Sequence, residues 1–260
     1  MPTTSETPGQ SPVPAPGEGR SVQTVEDVLD LLDVLFDGAA DRGTDRNGAA
    51  WWDRFYADRE RPIPFFRWVP DENLVAWQVD GRLGLGPGTR VLELGCGPGR
   101  NAVWLARQGC AVDALDLSPA ALAWGRERAA ASGVEVAFER ADIFRWTPPR
   151  EPYDVVYDHG CFHHLAPHRR VSYRRLLEQV LAPGGRFGLA CFADGAMGSR
   201  APDVELYRRR SEGGGLAYAA DDLRRTFGWL TEVEVRRMRA TDADAPVFGA
   251  DFLWAALFRR

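Results

Sequence analysis

The stretch from Val91 to Ala106, VLELGCGPGRNAVWLA, constrains the fold of this chain more than any other. It begins as an apolar run typical of a buried strand, passes through a glycine-rich turn at 95–99, and continues with helical periodicity from about Arg100. Because glycine lacks a Cβ, such a turn can bend sharply and let a ligand lie directly against the backbone. The free amides at the start of the following helix would face that ligand. The stretch therefore predicts a nucleotide-type cofactor site.

Strands and helices are predicted to alternate along the chain after this point. The strands are expected near 90–94, 111–116, 134–140, 154–158, 185–192, 232–238 and 250–258. The helices are expected near 99–109, 118–132, 168–181 and 220–228. Pro183-Gly184-Gly185 is interpreted as a sharp turn into the next strand. This alternation favours an α/β fold with a doubly wound, Rossmann-like and mostly parallel sheet, whose site lies at the carboxyl ends of the strands.

The N-terminal third is expected to consist of a tail and a cap. Residues 1–20 are rich in Pro, Ser, Thr and Gly, and we predict that they are disordered. Apolar residues from Val22 to Phe36 recur at helical spacing and predict an amphipathic helix. The aromatic-rich stretch after it either packs between this cap and the sheet or forms a lid over the site. We therefore predict an N-terminal helical cap over 21–84 and a cofactor domain over 85–260.

Composition excludes several classes of function. All 32 basic residues are arginine, which suggests a GC-rich bacterial genome, and they are scattered in a chain of net charge −5. The basic patch of a nucleic-acid-binding protein is therefore missing. The four cysteines form no C-x-x-C pair, and no apolar run approaches the roughly 18 residues of a membrane span. We predict a soluble, reduced, cytoplasmic protein that binds neither nucleic acid nor membrane.

Three acidic residues are expected at the strand ends that meet the cofactor. Asp116 ends the second predicted strand, about 20 residues past the glycines, where a carboxylate can accept hydrogen bonds from both hydroxyls of a ribose. Asp142 and Ile143 suit an adenine pocket, although Asp is also common in turns of this kind. Asp158 ends the fourth strand and is placed at the cofactor edge.

These motifs together resemble a known family. The set LELGCGPG, DALDLS, ADI, YDVVYD and LAPGG, in this order, is similar to the class I S-adenosylmethionine-dependent methyltransferases over about residues 85–258. The turn GCGPGRNAVWLA is close to that of the tellurite-resistance methyltransferases. The W-W-x-x-F-Y…P-F-F region resembles the thiopurine methyltransferase-like branch, which methylates small thiols, halides and chalcogen anions. The resemblance implies a seven-stranded sheet whose last strand is antiparallel, with S-adenosyl-L-methionine as cofactor and S-adenosyl-L-homocysteine as its product.

The resemblance also implies a set of site residues. It places the glycines of the turn under the methionine moiety, Asp116 on the ribose and Asp142 near adenine. The candidate cofactor-binding residues are Glu93, Gly95, Cys96, Gly97, Gly99, Asn101, Asp116, Leu117, Asp142, Ile143 and Asp158. Trp52, Tyr56 and Phe66 are the candidates for contact with the methyl acceptor.

The implied chemistry is in-line displacement of a sulfonium methyl group, in which the protein aligns the reactants and takes up a proton where the acceptor carries one. His159 and His163 are the candidate catalytic bases, with a role as loop residues as the alternative. His164 and His168 are interpreted as structural. The histidine spacing lacks the paired cysteines or acids of a zinc site, so no metal is predicted.

The sequence thus predicts a methyltransferase for a small-molecule acceptor such as a thiol, a chalcogen anion or a similar soft nucleophile. A natural-product O- or N-methyltransferase is the alternative within the same class. A non-catalytic S-adenosylmethionine-binding protein and an NAD-dependent oxidoreductase are the alternatives from other classes. Neither the atom methylated nor the oligomeric state follows from the sequence.

Overall fold

The computed structural model describes residues 22–36, 45–211 and 213–260. The predicted tail at 1–20 lies outside these residues. The helices are α1 (Val25–Phe36), α2 (Asp45–Ala57), α3 (Glu72–Val79), α4 (Arg100–Arg107), α5 (Pro119–Ser132), α6 (Arg169–Val180), α7 (Asp203–Arg209) and α8 (Ala220–Thr226). The strands are β1 (Arg90–Leu94), β2 (Ala111–Asp116), β3 (Ala137–Arg140), β4 (Tyr153–His159), β5 (Leu181–Phe192), β6 (Thr231–Arg237) and β7 (Leu253–Arg259). Short 3₁₀ turns cover Pro64–Phe66 and Phe162–His164.

The seven strands form one sheet in the order β3-β2-β1-β4-β5-β7-β6. Pairing is parallel from β3 through β5, whereas β7 runs antiparallel to both β5 and β6. This confirms the predicted Rossmann-like sheet with an antiparallel last strand. The chain leaves β1 toward β3 and then returns to the other side of β1 as β4. A crevice therefore opens above the carboxyl ends of β1 and β4, where ligands bind in open α/β sheets.

The strand register decides which side chains meet at this crevice. Leu94 is paired with Asp158, so the glycine turn after β1 lies beside the end of β4. Phe192 at the end of β5 is paired with Leu253 at the start of β7. Because β7 is antiparallel, its first residue lies at the same sheet edge as the carboxyl ends of its neighbours.

Both faces of the sheet are covered by apolar packing. Val91 and Leu257 face a core that includes Leu74 and Trp77 of α3 and residues of α4 and α5. Phe187 faces a second core with residues of α6 and α8. This pattern explains why the strands read as continuous apolar runs in the sequence.

The two N-terminal helices are anchored by polar contacts. In α1, Asp33 lies 2.6 Å from His168 Nε2 and accepts a hydrogen bond from Arg169 at 2.9 Å, so α1 is held against the start of α6. In α2, Asp53 Oδ1 accepts hydrogen bonds from the Ser118 hydroxyl (2.9 Å) and the Ala120 amide (2.8 Å). The α2 carboxylate thus binds the first turn of α5, where it also complements the helix dipole.

Two features differ from the sequence predictions. β5 begins at Leu181 and runs through the predicted Pro-Gly-Gly turn, because the pairing with β4 contains a bulge between Tyr153 and Val155. No individual helix was predicted at α2, α3 or α7; α3 and α7, of eight and seven residues, are too short to show much periodicity.

Candidate active site

A cavity of about 450 Å³ lies at the carboxyl edge of the sheet, above the crevice. Its donor side is formed by the predicted cofactor residues Glu93, Gly95, Cys96, Gly97, Asn101, Asp116, Leu117, Asp142 and Ile143. Its opposite side, which we call the acceptor side, is formed by Phe65, His159, His163, His164, Phe192, Met197, Phe248, Phe252 and Leu253. Trp52 and Tyr56 from α2 complete the wall. Both sets of residues line the same cavity.

The glycine turn admits no larger residue at its centre. Gly95 and Gly97 have φ of +63° and +52°. A Cβ on Gly95 would lie 2.8 Å from Cys161 Cβ, and one on Gly97 would lie 2.9 Å from the Tyr56 hydroxyl. The left-handed backbone and the close packing therefore both require glycine at these positions. The turn forms a floor of backbone beneath the cavity.

Asp116 fixes this turn from the end of β2. Its Oδ2 accepts a hydrogen bond from the Gly97 amide and its Oδ1 accepts one from the Ser118 amide, both at 2.8 Å. Burial raises the pKa of Asp116 to about 6, against the opposing effect of these hydrogen bonds. The predicted ribose acid thus lies at the cavity and also holds the backbone next to it.

Glu93 carries a buried oxygen that has no partner. Its side chain is almost fully buried, and Oε2 makes no hydrogen bond within the described chain. Burial raises the pKa of Glu93 to about 8; Arg100 lowers it and Asp71 raises it further. A buried carboxylate is costly unless a cation compensates it. Since Glu93 faces the cavity beside the glycine turn, a cationic group of a ligand would supply that compensation.

Arg128 holds the aromatic residues next to the cavity in place through Phe66 and Trp124. This buried guanidinium donates to the carbonyls of Phe66 (2.5 Å) and Pro98 (3.1 Å) and lies 4.2 Å from the ring centre of Trp124. Tyr56 stacks on Phe66 with ring centres 5.7 Å apart. Arg128 therefore ties the aromatic segment to the glycine turn.

A buried network centred on Asp71 borders the acceptor side. Asp71 is fully buried and accepts hydrogen bonds from Arg100 (2.5 Å), Asn101 (2.9 Å) and the Tyr157 hydroxyl (2.6 Å). His159 Nδ1 lies 2.8 Å from Asp71 Oδ2, a close polar contact that falls outside hydrogen-bond geometry. Burial opposes ionisation of Asp71, but Arg100, then His159 and Tyr157, outweigh it and hold the pKa of this carboxyl below its usual range. Asp71 is thus a carboxylate under the histidine ring.

The two predicted catalytic histidines differ in what their nitrogens do. His163 Nδ1 accepts a hydrogen bond from the Phe192 amide at 3.1 Å, and its Nε2 lies 3.1 Å from His164 Nε2. Because Nδ1 accepts, the proton is assigned to Nε2 of His163, which then donates to His164. Burial and the neighbouring His164 and His159 lower the pKa of His163 well below its usual value. His159, by contrast, makes no side-chain hydrogen bond among the described residues, and its Nδ1 is the buried nitrogen that lacks one.

Three predicted residues do not line the cavity. Asp158 is fully buried and accepts hydrogen bonds from the Cys161 amide (2.9 Å), the Phe162 amide (3.0 Å) and the Tyr173 hydroxyl (2.7 Å). It therefore shapes the loop after β4 from beneath. Gly99 begins α4 behind the turn, where a Cβ would lie 2.7 Å from the Phe138 ring. Phe66 packs behind Tyr56, and its neighbour Phe65 lines the cavity instead.

Several cavity residues were not found from the sequence. Phe192, Phe248 and Phe252 line the acceptor side, but in the sequence they are indistinguishable from other core aromatics. Asp71 and Arg100 read as ordinary helix-start residues. Their pairing joins positions 29 residues apart and leaves no local pattern.

Within the described ranges, no three His, Cys, Asp or Glu side chains converge so that they could hold a metal ion. No helix in the described part of the chain is both long and apolar enough to cross a membrane.

A glycine turn after β1, an acid after β2 and this strand order are typical of doubly wound nucleotide-cofactor domains. Residues 91–185 match the family model described as "Methyltransferase domain". This match covers the segment with the glycine turn and Asp116, and it indicates an S-adenosylmethionine-dependent methyltransferase whose cofactor is S-adenosylmethionine. The match separates it from the nicotinamide oxidoreductases considered above.

Curated relatives agree with this assignment. Methyltransferase GfsG of Streptomyces halstedii is 33% identical over 116 residues, which cover 44% of this chain and 41% of the relative. A trans-aconitate 2-methyltransferase of Variovorax paradoxus is 32% identical over 126 residues, which cover 48% of this chain and 46% of the relative. The matched part of the chain thus spans less than half the length of each.

Solved structures share the fold over a longer range. One, from a study of the conversion of a disulfide bond into a thioacetal group during echinomycin biosynthesis, is 26% identical with a TM-score of 0.60 and covers 81% of this chain and 93% of that chain. NodS from Bradyrhizobium japonicum, solved with S-adenosyl-L-homocysteine, is 21% identical with a TM-score of 0.56 and covers 83% of this chain and 99% of that one. TehB from Haemophilus influenzae is 19% identical with a TM-score of 0.54 over 73% of this chain and 61% of that one. The last two likenesses concern the fold alone.

Proposed function

We propose that this protein transfers the methyl group of S-adenosylmethionine to a small-molecule acceptor. The observation that carries the proposal is that one cavity is lined both by the glycine turn with its strand-end acids and by the aromatic and histidine residues of the acceptor side. Proximity and alignment are the main contributions a protein makes to such a displacement. The cavity volume of about 450 Å³ favours a small acceptor over a macromolecule.

The residues on the donor side suit each part of the cofactor. Glu93, whose Oε2 has no partner, is proposed to hold the ammonium of the methionine moiety, and the turn at 95–97 to support that moiety. Asp116 is proposed to bind the ribose, and Asp142 with Ile143 the adenine. When bound, S-adenosylmethionine supplies an electrophilic methyl group on a sulfonium. Trp52 and Tyr56 are proposed to exclude water and to contact that cationic donor.

We propose a soft nucleophile, a thiol first, as the acceptor. This proposal rests on the tellurite-resistance and thiopurine methyltransferase-like patterning of the sequence. It is supported by the solved relative that is 26% identical over most of both chains, since the reaction in its description takes place at sulfur. Methylation of oxygen or nitrogen in a natural product is the rival, and the relation to GfsG fits either acceptor.

The proposal is tested first by cofactor binding. A thermal-shift comparison of S-adenosylhomocysteine and NAD, each at about 100 times its expected Kd, should show a shift of several degrees with the former alone, since such occupancy adds about 2.7 kcal/mol of stability. Asp116→Ala should abolish this shift, whereas Asp203→Ala, which removes an exposed carboxylate on α7, should keep it. A shift with NAD alone would overturn the proposal. S-adenosylhomocysteine binding without methylation of any thiol, phenol or amine in a broad screen would favour a non-catalytic binding protein.

A further inference from the structure

The acceptor side of the cavity has a composition that restricts the charge of its ligand. Phe192, Phe248, Phe252 and Leu253 form an apolar surface at the ends of β5 and β7, and Met197 lies at its edge. Phe248 and Phe192 also pack against His159 and His163, with ring centres 5.5 and 3.7 Å apart. A ligand that enters this space loses its water and gains mostly ring contacts.

The positive charge of Arg100, which lies near this surface, is already compensated by Asp71. Arg100 is the one arginine among the described residues that line the cavity, and the chain contains no lysine. Its guanidinium is almost fully buried and donates to Asp71 Oδ1 (2.5 Å) and to the Val69 carbonyl (3.1 Å). It also lies 4.7 Å from the ring centre of Phe248. A carboxylate or oxyanion placed here would therefore lose its hydration without meeting an uncompensated positive side chain of the protein.

The same carboxylate equips His159 to take up a proton. Because Asp71 Oδ2 lies 2.8 Å from Nδ1, it favours the tautomer with the proton on Nδ1 and leaves the lone pair of Nε2 for the cavity. The charged and titratable groups that act on the His159 ring are Asp71 at the start of α3, Arg100 of α4 and His163 of the turn after β4. Glu93 of β1 interacts in turn with Asp71 and Arg100. Burial lowers the pKa of His159 while Asp71 raises it, so the ring is neutral at pH 7 and the carboxylate would stabilise its protonated form.

From this arrangement we propose that the acceptor is an uncharged, largely apolar molecule with an acidic hydrogen on sulfur or oxygen, and that His159, positioned by Asp71, removes that hydrogen. This proposal rests on the methyltransferase function proposed above. A lone pair of the acceptor sulfur or oxygen forms the new bond to the methyl carbon, and the electrons of the broken carbon–sulfur bond neutralise the sulfonium. The acceptor proton moves to Nε2 of His159, where Asp71 balances the imidazolium, and is later released to solvent. Anions such as tellurite or a tricarboxylate are excluded as acceptors.

Charge selectivity is tested with matched pairs of acceptors. In each pair a methyl group replaces a carboxylate: (4-methylphenyl)methanethiol against 4-(mercaptomethyl)benzoate, and 4-methylphenol against 4-hydroxybenzoate. Calorimetric titration into protein saturated with S-adenosylhomocysteine should show at least tenfold tighter binding of the neutral partner. Equal or tighter binding of the carboxylate, or binding of neither, overturns the inference. Failure to bind S-adenosylhomocysteine instead refutes the proposed function. Methylation of the thiol pair or of the phenol pair identifies the acceptor atom.

Two variants test the proton transfer. In the wild type, kcat should rise with pH as His159 loses its proton. His159→Gln should remove this rise and lower kcat for the neutral acceptor by about 10²-fold. The Kd of this variant for S-adenosylhomocysteine should stay within twofold of wild type. In Asp71→Asn this rise should move to lower pH, because the carboxylate that raises the imidazole pKa is gone, and the preference for the neutral partner should shrink at least tenfold, because Arg100 is then uncompensated. Asp203→Asn, a matched removal of an exposed carboxylate outside the cavity, should keep both properties. A uniform fall of kcat at every pH in His159→Gln would mean a structural role and would refute the assignment.

Discussion

The buried carboxyl of Glu93, whose Oε2 has no partner, should make the ligand-free protein less stable as the pH rises. Its folded-state pKa is about 8 against an ordinary value of 4.5, because burial disfavours the charged form. An acid whose pKa is raised on folding contributes stability that is fully present below its unfolded pKa and is lost as the pH rises through its folded pKa. The difference of about 3.5 pKa units corresponds to about 5 kcal/mol of unfolding free energy between pH 4.5 and pH 8.

Glu93→Gln isolates this effect, because the amide occupies the same space and does not titrate. Other groups with raised pKa values, Asp116 at about 6 and Asp158 at about 7, titrate in both proteins and cancel in the comparison. The stability of Glu93→Gln relative to wild type should therefore increase by several kcal/mol from pH 5 to pH 8.5.

Urea denaturation curves of both proteins across this range measure the difference directly. Saturation with S-adenosylhomocysteine should reverse the order at pH 8, since the proposed ammonium contact stabilises the ionised carboxylate of wild type only. If the ligand-free stabilities of the two proteins run parallel with pH, the pKa of Glu93 is not raised on folding and the reasoning fails.

Two further substitutions probe the walls of the site. Asp53→Ala removes the carboxylate that accepts a hydrogen bond from the Ser118 hydroxyl, so α2 should be held less firmly against α5. The calorimetric Kd for S-adenosylhomocysteine should then rise about tenfold. Asp58→Ala, an exposed change just beyond α2, should leave this Kd unaltered. Gly99→Ala places a Cβ 2.7 Å from the Phe138 ring at a φ of +69°, so it should lower the urea midpoint by the equivalent of about 2 kcal/mol; an unchanged midpoint would show that the ring yields freely.

The sheet was predictable from the sequence because its strands are buried on both faces. Continuous apolar runs such as 90–94 and 111–116 leave little choice of secondary structure, and the glycine turn fixes where the crevice lies. The start of β5 was not predictable in this way. Its Pro-Gly-Gly residues are turn formers locally, and they fall within a strand because Leu181 and Arg186 on either side of them both pair with β4.

The donor side was also largely predictable, since its residues follow the strand ends at fixed spacing. The acceptor side was not, because its contacts join segments far apart in the chain. Asp71 and His159 are 88 residues apart, and whether Asp158 or His159 reaches the cavity depends on which backbone amides the loop after β4 presents. Local sequence patterns predict the helices and strands. Which side chains reach the acceptor side depends instead on how those helices, strands and loops pack together.

The donor side of the cavity and the aromatic wall of α2 are connected through Ser118. The Ser118 amide donates to Asp116, the proposed ribose acid, while the Ser118 hydroxyl donates to Asp53 of α2. A ribose bound to Asp116 therefore acts on the same short segment to which α2 is anchored. Tyr56, one turn along α2, closes over Gly97, whose amide is the second donor to Asp116. Binding of the donor and closure of the wall are thus expected to stabilise each other, so water would be excluded from the transfer only when the donor is present.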